Sequence, residues 1–230
     1  MLGLENIAVS QGSFRISADF SVGKGERVAV IGPSGAGKST LLSAVAGFLT
    51  PDKGRITWEG SDLAKTEPGD RPVSILFQDN NLFPHLTAEQ NVGLGIRPSL
   101  RLSEEEKKAV SDALYHVGIA SVLRRYPGEL SGGQQSRVAL ARILLLRQPI
   151  LLLDEPFAAL GPALRAEMLE LVKDIASDHE LTVLMVTHES RDAERLGGGA
   201  VFCDAGVAHA PVDVDKLFAA PPQALRAYLE

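Results

Sequence analysis

The chain of 230 residues is predicted to be an α/β protein with a mostly parallel sheet, a small antiparallel β subdomain and a helical subdomain. Three observations predict it. Short apolar runs containing β-branched residues, at 28–31, 150–153 and 182–186, are flanked by Gly, Pro or polar residues, as in strands buried on both faces of a parallel sheet. Helical spacing of apolar residues follows two of them: Leu41, Leu42, Val45, Ala46 and Leu49 after the first, and Leu164, Met168, Val172, Ile175 and Ala176 after the second. Between about 79 and 149 strand signals almost vanish and helical ones dominate.

Taken in chain order, the first ~25 residues are short, alternating and punctuated by glycine, which predicts antiparallel strands. Residues 54–60 share that character, with Trp58 as a packing residue. Strand 28–31 and its helix open the α/β core, into which the helical segment is inserted within a single domain spanning 1–230. One inserted helix starts at Ser103, which forms an S-x-x-E capping box with Glu106; the charged run 104–108 is then its solvated first turn. A second runs from Ser131 to about Leu146, ahead of strand 150–153. Cys203, beside Val201 and Phe202, reads as a buried strand residue.

Composition narrows the function classes. A chain of this size with 45% hydrophobic and 23% charged residues can bury a core without staples, and its single cysteine excludes an intramolecular disulfide. No hydrophobic run exceeds four residues, against the ~20 needed to cross a bilayer, and no secretory signal is visible, so a cytoplasmic location is expected. The balance of 23 basic and 29 acidic residues, a net charge of −6, offers no global footprint for nucleic acid.

Gly32-Pro33-Ser34-Gly35-Ala36-Gly37-Lys38-Ser39 matches G-x-x-x-x-G-K-S/T and lies between an apolar strand and an amphipathic helix, as its mechanism requires. Gly32, Ser34, Gly35 and Gly37 let backbone N–H groups curl around a phosphate, and the helix N-terminus through Thr40 adds its dipole. Lys38 supplies a point charge and Ser39 a hydroxyl for Mg²⁺. Four apolar residues lead into Asp154 and Glu155, so both acids emerge at the carboxyl end of a buried strand. Asp154 is placed to hold Mg²⁺ and Glu155 to polarise an attacking water. Leu130-Ser131-Gly132-Gly133-Gln134 forms a second helix start suited to an anion.

Two phosphate-binding devices in one chain resemble the ATP-binding subunits of ABC transporters, a resemblance running from about Gly23 to Leu196. It implies a phosphate-loop NTPase core, hydrolysis of ATP with Mg²⁺, and a head-to-tail homodimer. In that dimer residues Ser131, Gly132, Gly133 and Gln134 of one subunit close on the γ-phosphate held by the other. By the same resemblance Gln78, in Ile75-Leu76-Phe77-Gln78, reaches Mg²⁺ and the attacking water, and His188, in Val186-Thr187-His188-Glu189, contacts the γ-phosphate. The stretches Phe77-Gln78-Asp79-Asn80-Asn81-Leu82-Phe83, Pro127-Gly128-Glu129-Leu130 and Asp154-Glu155-Pro156-Phe157 resemble importer ATPases, those for thiamine among them. The implied setting is the cytoplasmic face of a bacterial inner membrane, bound peripherally to a transmembrane permease. The permease is fed by a periplasmic solute-binding protein, with no nucleic acid involved.

Three positions depart from the resembled pattern. At the place of the usual adenine-stacking aromatic residue the sequence offers Gln11-Gly12 or Phe14, Gln135 stands where a basic residue is usual, and Gly161 replaces an interface aspartate. Two other readings stay open. One is an ABC ATPase of DNA repair, chromosome structure or translation, whose long coiled coils or tandem copies are not seen here; the other is a weakly hydrolysing regulatory subunit.

Overall fold

The computed structural model describes residues 1–229. In chain order its elements are β1 (Leu2–Gln11), β2 (Phe14–Val22), β3 (Arg27–Ile31), α1 (Lys38–Ala46), β4 (Lys53–Trp58), β5 (Ser61–Asp62) and β6 (Val73–Leu76). Three helices follow, α2 (Ala88–Gly93), α3 (Glu104–His116) and α4 (Gly132–Leu146), and then β7 (Ile150–Asp154), α5 (Pro162–Asp178) and β8 (Thr182–Val186). The chain continues through α6 (Ser190–Leu196), β9 (Gly199–Asp204), β10 (Val207–Ala208), β11 (Val212–Asp213), α7 (Val214–Ala219) and α8 (Gln223–Leu229).

The strands form one curled mixed sheet in the order β5-β4-β1-β2-β10-β9-β3-β8-β7-β6, with β11 beside β9. From β9 to β6 every neighbouring pair is parallel, and β1, β2, β4 and β5 pair antiparallel. Parallel strands joined by helices place all their carboxyl ends on one edge, where α/β sheets bind ligands. On that edge β3, β8, β7 and β6 lie side by side, so the segments after Ile31, Val186, Asp154 and Leu76 become neighbours.

The apolar runs work because both faces of the parallel half are covered. Alternate residues of one strand enter two different cores: Val28, Val30, Leu152, Leu184 and Val186 pack with α1, β1 and β2, whereas Ala29, Ile31, Leu151, Leu153 and Val183 pack with α4 and α5. Helix α1 buries Leu41, Leu42 and Val45 completely, worth about 1.5–3 kcal/mol each relative to exposure. It ends at Ala46, because Gly47 caps it with φ 92°, so Leu49 lies beyond the helix rather than on its face. The buried Arg71 then secures this end by donating to the carbonyls of Ala44 and Val45 at 2.9 and 2.8 Å, and also to Leu63 and Thr66.

Trp58 and Cys203 are buried as expected, and burial pushes the Cys203 thiol up to about 12. Between β6 and β7 the chain is helical, and Ser103 and Glu106 complete the expected capping box. Among the described residues no helix is long and apolar enough to cross a membrane.

Candidate functional site

The loop from β3 to α1 is shaped by two glycines that no other residue could replace without displacement. Gly32 has φ 147° and a Cβ there would overlap the Cys203 carbonyl oxygen; Gly37 has φ 92° and a Cβ would come within 2.5 Å of the Phe14 ring. Lys38 follows and is almost fully buried, its ammonium folded onto the loop's own carbonyls at 2.7 Å from Gly32 and 2.8 Å from Pro33. Burial lowers its pKa and the carboxylates of Glu155 and Asp154 oppose that shift. The Cys203 thiol is neutral at pH 7 and contributes no charge there. A phosphate would therefore meet a cation that is already desolvated and pre-positioned.

Ser39 and Asp154, 115 residues apart in sequence, meet at the sheet edge: the Ser39 hydroxyl donates to Asp154 Oδ1 at 2.9 Å. Burial raises the Asp154 pKa against the lowering effect of that hydrogen bond, as expected of a carboxylate that gains from a nearby cation. Ser39, Gln78, Asp154 and Glu155 line one cavity of about 510 Å³. Its donors are hard oxygens, the set that suits Mg²⁺. A second cavity of about 400 Å³ is lined by Phe14, Ser34, Gly35, Gly37, Lys38, Ser39, Thr40 and Gln11, with Glu155 and His188 at its margin. The two cavities share Ser39 and Glu155. A cavity of about 740 Å³ lies at the amino ends of the strands, near Leu181 and Pro149, far from these groups.

Glu155 and His188 form the contact of greatest chemical interest. Glu155 leaves β7 in the left-handed region, φ 49°, with its N–H donating to Val186 O, and its carboxylate lies 2.6 Å from His188 Nε2. The turn carrying His188 is fastened by Thr187, whose hydroxyl donates to Asp192 at 2.9 Å and accepts from Glu189 N–H at 3.1 Å. Arg165 spans the neighbouring loop, donating to the carbonyls of Ala158 and Leu160 and lying 3.5 Å from Glu189. This geometry places a carboxylate and an imidazole in contact at the margin of the cavity lined by the phosphate loop.

A family model described as ABC transporter matches residues 17–158, which takes in the phosphate loop, the helical segment and both strand-end acids. The chain belongs to the ABC transporter family. It is 57% identical over 229 residues to a "Thiamine import ATP-binding protein ThiQ" of Cereibacter sphaeroides, covering 100% of this chain and 99% of that one. The corresponding protein of Ruegeria sp. is 53% identical with the same coverage. Among solved structures, the dimeric post-hydrolysis state of the ATP-binding cassette MJ0796 bound to ADP and Pi superposes with TM-score 0.79 at 28% identity, covering 93% of this chain and 99% of that one. As an ABC family member the chain is an ATP-binding, ATP-hydrolysing cassette.

Three features of this ABC cassette have local physical explanations. Ser131 caps α4 with a reciprocal pair, its Oγ accepting from Gln134 N–H at 3.3 Å and Gln134 Oε1 accepting from Ser131 N–H at 3.0 Å. Gln135, in place of a basic residue, donates to the carbonyls of Pro127 and Leu130 and so ties down the turn before residues 131–134, the signature stretch of the resembled pattern. Gly161 is the N-cap of α5 at φ −65°, ψ 159°, with no side-chain cap and Pro162 at the first helical position. A Cβ at Gly161 would meet nothing within 4 Å, so the position tolerates an acid sterically.

Residues 131–134 line neither cavity beside the phosphate loop. Phe14 stands at the rim of the loop, packed against Gly37, and Gln11 accepts from Thr40 Oγ1 at 3.1 Å. Sequence reasoning missed Arg165, Asn91 and Arg142, which hold site loops through backbone groups and are single polar residues with no motif around them, and it quoted Thr187 only as the neighbour of His188 without its turn hydrogen bonds.

Proposed function

We propose that this chain energises the import of thiamine by binding MgATP and hydrolysing it within a homodimer docked on a transmembrane permease at the cytoplasmic face. The observation that carries the hydrolytic part is the convergence of Lys38, Ser39, Asp154, Glu155 and His188 at adjacent strand ends. The substrate is carried by the thiamine-importer names of relatives that align over nearly the whole chain. Binding of radiolabelled thiamine by the reconstituted complex, with ATP-dependent uptake lost in Lys38→Ala, tests the whole reading.

In the proposed site Lys38 and the loop amides would hold the β- and γ-phosphates, and Ser39, Asp154 and Gln78 would hold Mg²⁺. Bound there, Mg²⁺ would offset charge on the transferring phosphoryl group. Glu155 orients the water and takes its proton, and His188 steadies the carboxylate and reaches the γ-phosphate side. Phe14 offers the ring nearest the base. Residues 131–134 line neither cavity beside this chain's own phosphate loop, which supports their use by the partner subunit.

Docking on the permease would use the loop after Gln78. Phe83 is 47% exposed and Phe48 53%, and Phe48 packs against Phe77 with ring centroids 6.2 Å apart. The loop is held rather than loose: fully buried Asn91 bonds both the N–H and the carbonyl of Phe83, and Arg142 donates to the carbonyls of Asn80 and Asn81. Phe83, a large apolar group presented on a fixed loop beside the nucleotide site, suits a protein partner. Phe83→Asp should spare the ATPase activity of the isolated subunit and abolish its co-purification with the permease. Retained co-purification would place the docking surface elsewhere.

Gly161→Asp should leave the melting temperature unchanged or slightly raised, because φ is negative, the space is open and aspartate is a good N-cap. If the usual acid joins the two composite sites, the same change should raise the Hill coefficient for ATP hydrolysis or tighten the ATP-dependent dimer. A raised melting temperature with unaltered cooperativity would assign the acid to capping alone.

A further inference from the structure

The His188 carbonyl receives a hydrogen bond from far along the chain: Tyr228, 40 residues on in α8, donates its hydroxyl at 2.7 Å. Tyr228 is half-buried and packed against the larger core, and one turn earlier Leu225 is wholly buried, so α8 is seated rather than adjacent. The phenol stays protonated and able to donate at neutral pH, since burial, followed by the charges of Glu189 and Glu155, pushes its pKa upward. Fixing a carbonyl fixes the peptide plane that follows His188 and hence the direction in which its imidazole leaves the backbone. That imidazole has its Nε2 2.6 Å from Glu155 Oε1.

We infer that Tyr228 is a positioning residue for ATP hydrolysis, and that α8 acts as a strap which sets His188, and through it Glu155, in the hydrolytic geometry. The inference rests on the proposed role of His188. Thr187 holds the other end of the same peptide, its Oγ1 accepting from Glu189 N–H at 3.1 Å while its hydroxyl donates to Asp192, so the His188 carbonyl is tied through Tyr228. Tyr228 supplies the second tie, on the carbonyl side. Turnover therefore depends on the seating of a helix that lines neither nucleotide cavity.

Tyr228→Phe keeps the ring and its packing and removes only the donor. In the full chain it should lower kcat for ATP about 3- to 10-fold, the size of one net hydrogen bond, with KM within twofold and the melting temperature little changed. The decisive comparison is the same substitution in a His188→Ala background, where the carbonyl remains but the imidazole does not. There Tyr228→Phe should be silent, because nothing is left for it to position. An unchanged kcat in the single variant, or an equal loss in both backgrounds, would overturn the strap. Full turnover by His188→Ala alone would instead overturn the role of His188. Where His188→Ala turns over too slowly to compare, the His188 Cε1 resonance of histidine-labelled protein decides: it should move on Tyr228→Phe without nucleotide, and an unmoved resonance overturns the inference.

Discussion

Glu155→Gln should lower steady-state ATP turnover by ~10²- to ~10⁴-fold, the usual size of a general-base contribution, while leaving MgATP affinity nearly unchanged. The amide preserves the shape of the carboxylate and its place beside His188 but cannot accept the proton of the attacking water. The phosphate loop is untouched, since Lys38 is anchored by Gly32 and Pro33 rather than by Glu155. ATP should therefore bind and persist, and the variant should accumulate as a nucleotide-bound dimer in size-exclusion chromatography with MgATP. Steady-state kinetics at saturating ATP is the check, and undiminished turnover would remove Glu155 from the role of base.

The second large effect concerns the composite site. Lys38→Ala removes the buried cation, and Ser131→Arg breaks the capping box of α4 and places a long side chain at the signature; each variant alone should hydrolyse almost no ATP. Mixed dimers behave differently if the signature acts on the partner's nucleotide. One site then carries both lesions and the other carries neither. With equal amounts and random exchange, half the dimers are mixed and each has one sound site of two. Recovered activity should approach roughly a quarter of wild type if the sites work independently. Silence in a mixture whose heterodimers have been shown by differential tagging would exclude the trans arrangement.

Most of the sheet was legible because its strands advertise themselves chemically. Residues 28–31, 150–153 and 182–186 need apolar side chains on both faces, and each became a strand whose residues alternate between two cores. Among the strands that escaped notice are the two-residue β5, β10 and β11, too short to show a period. The phosphate loop, Asp154, Glu155 and the signature were legible for a related reason: turn, strand end and helix cap each demand particular residues in a short span. Gln78 and His188 carry no such local demand and were visible only through resemblance. Tyr228 was not visible at all, because one aromatic residue in a seven-residue helix reads as packing. Its meaning comes from a fold that brings residues 188 and 228 together.

The backbone of Glu155 sets stability and activity against each other at one position. Its φ of 49° lies where a side chain with a Cβ is disfavoured by about 1–3 kcal/mol, yet the chain keeps glutamate there rather than the glycine its conformation favours. The surrounding fold absorbs that cost through the bond from Glu155 N–H to Val186 O and the close packing of β7 against β8. Glycine at 155 would relieve that cost but would remove the carboxylate that the proposed mechanism uses as its base. If Glu155 is the base, as proposed, the strain at its backbone is a cost of the chemistry, and destabilising changes in β7 or β8 would draw on the same reserve of stability.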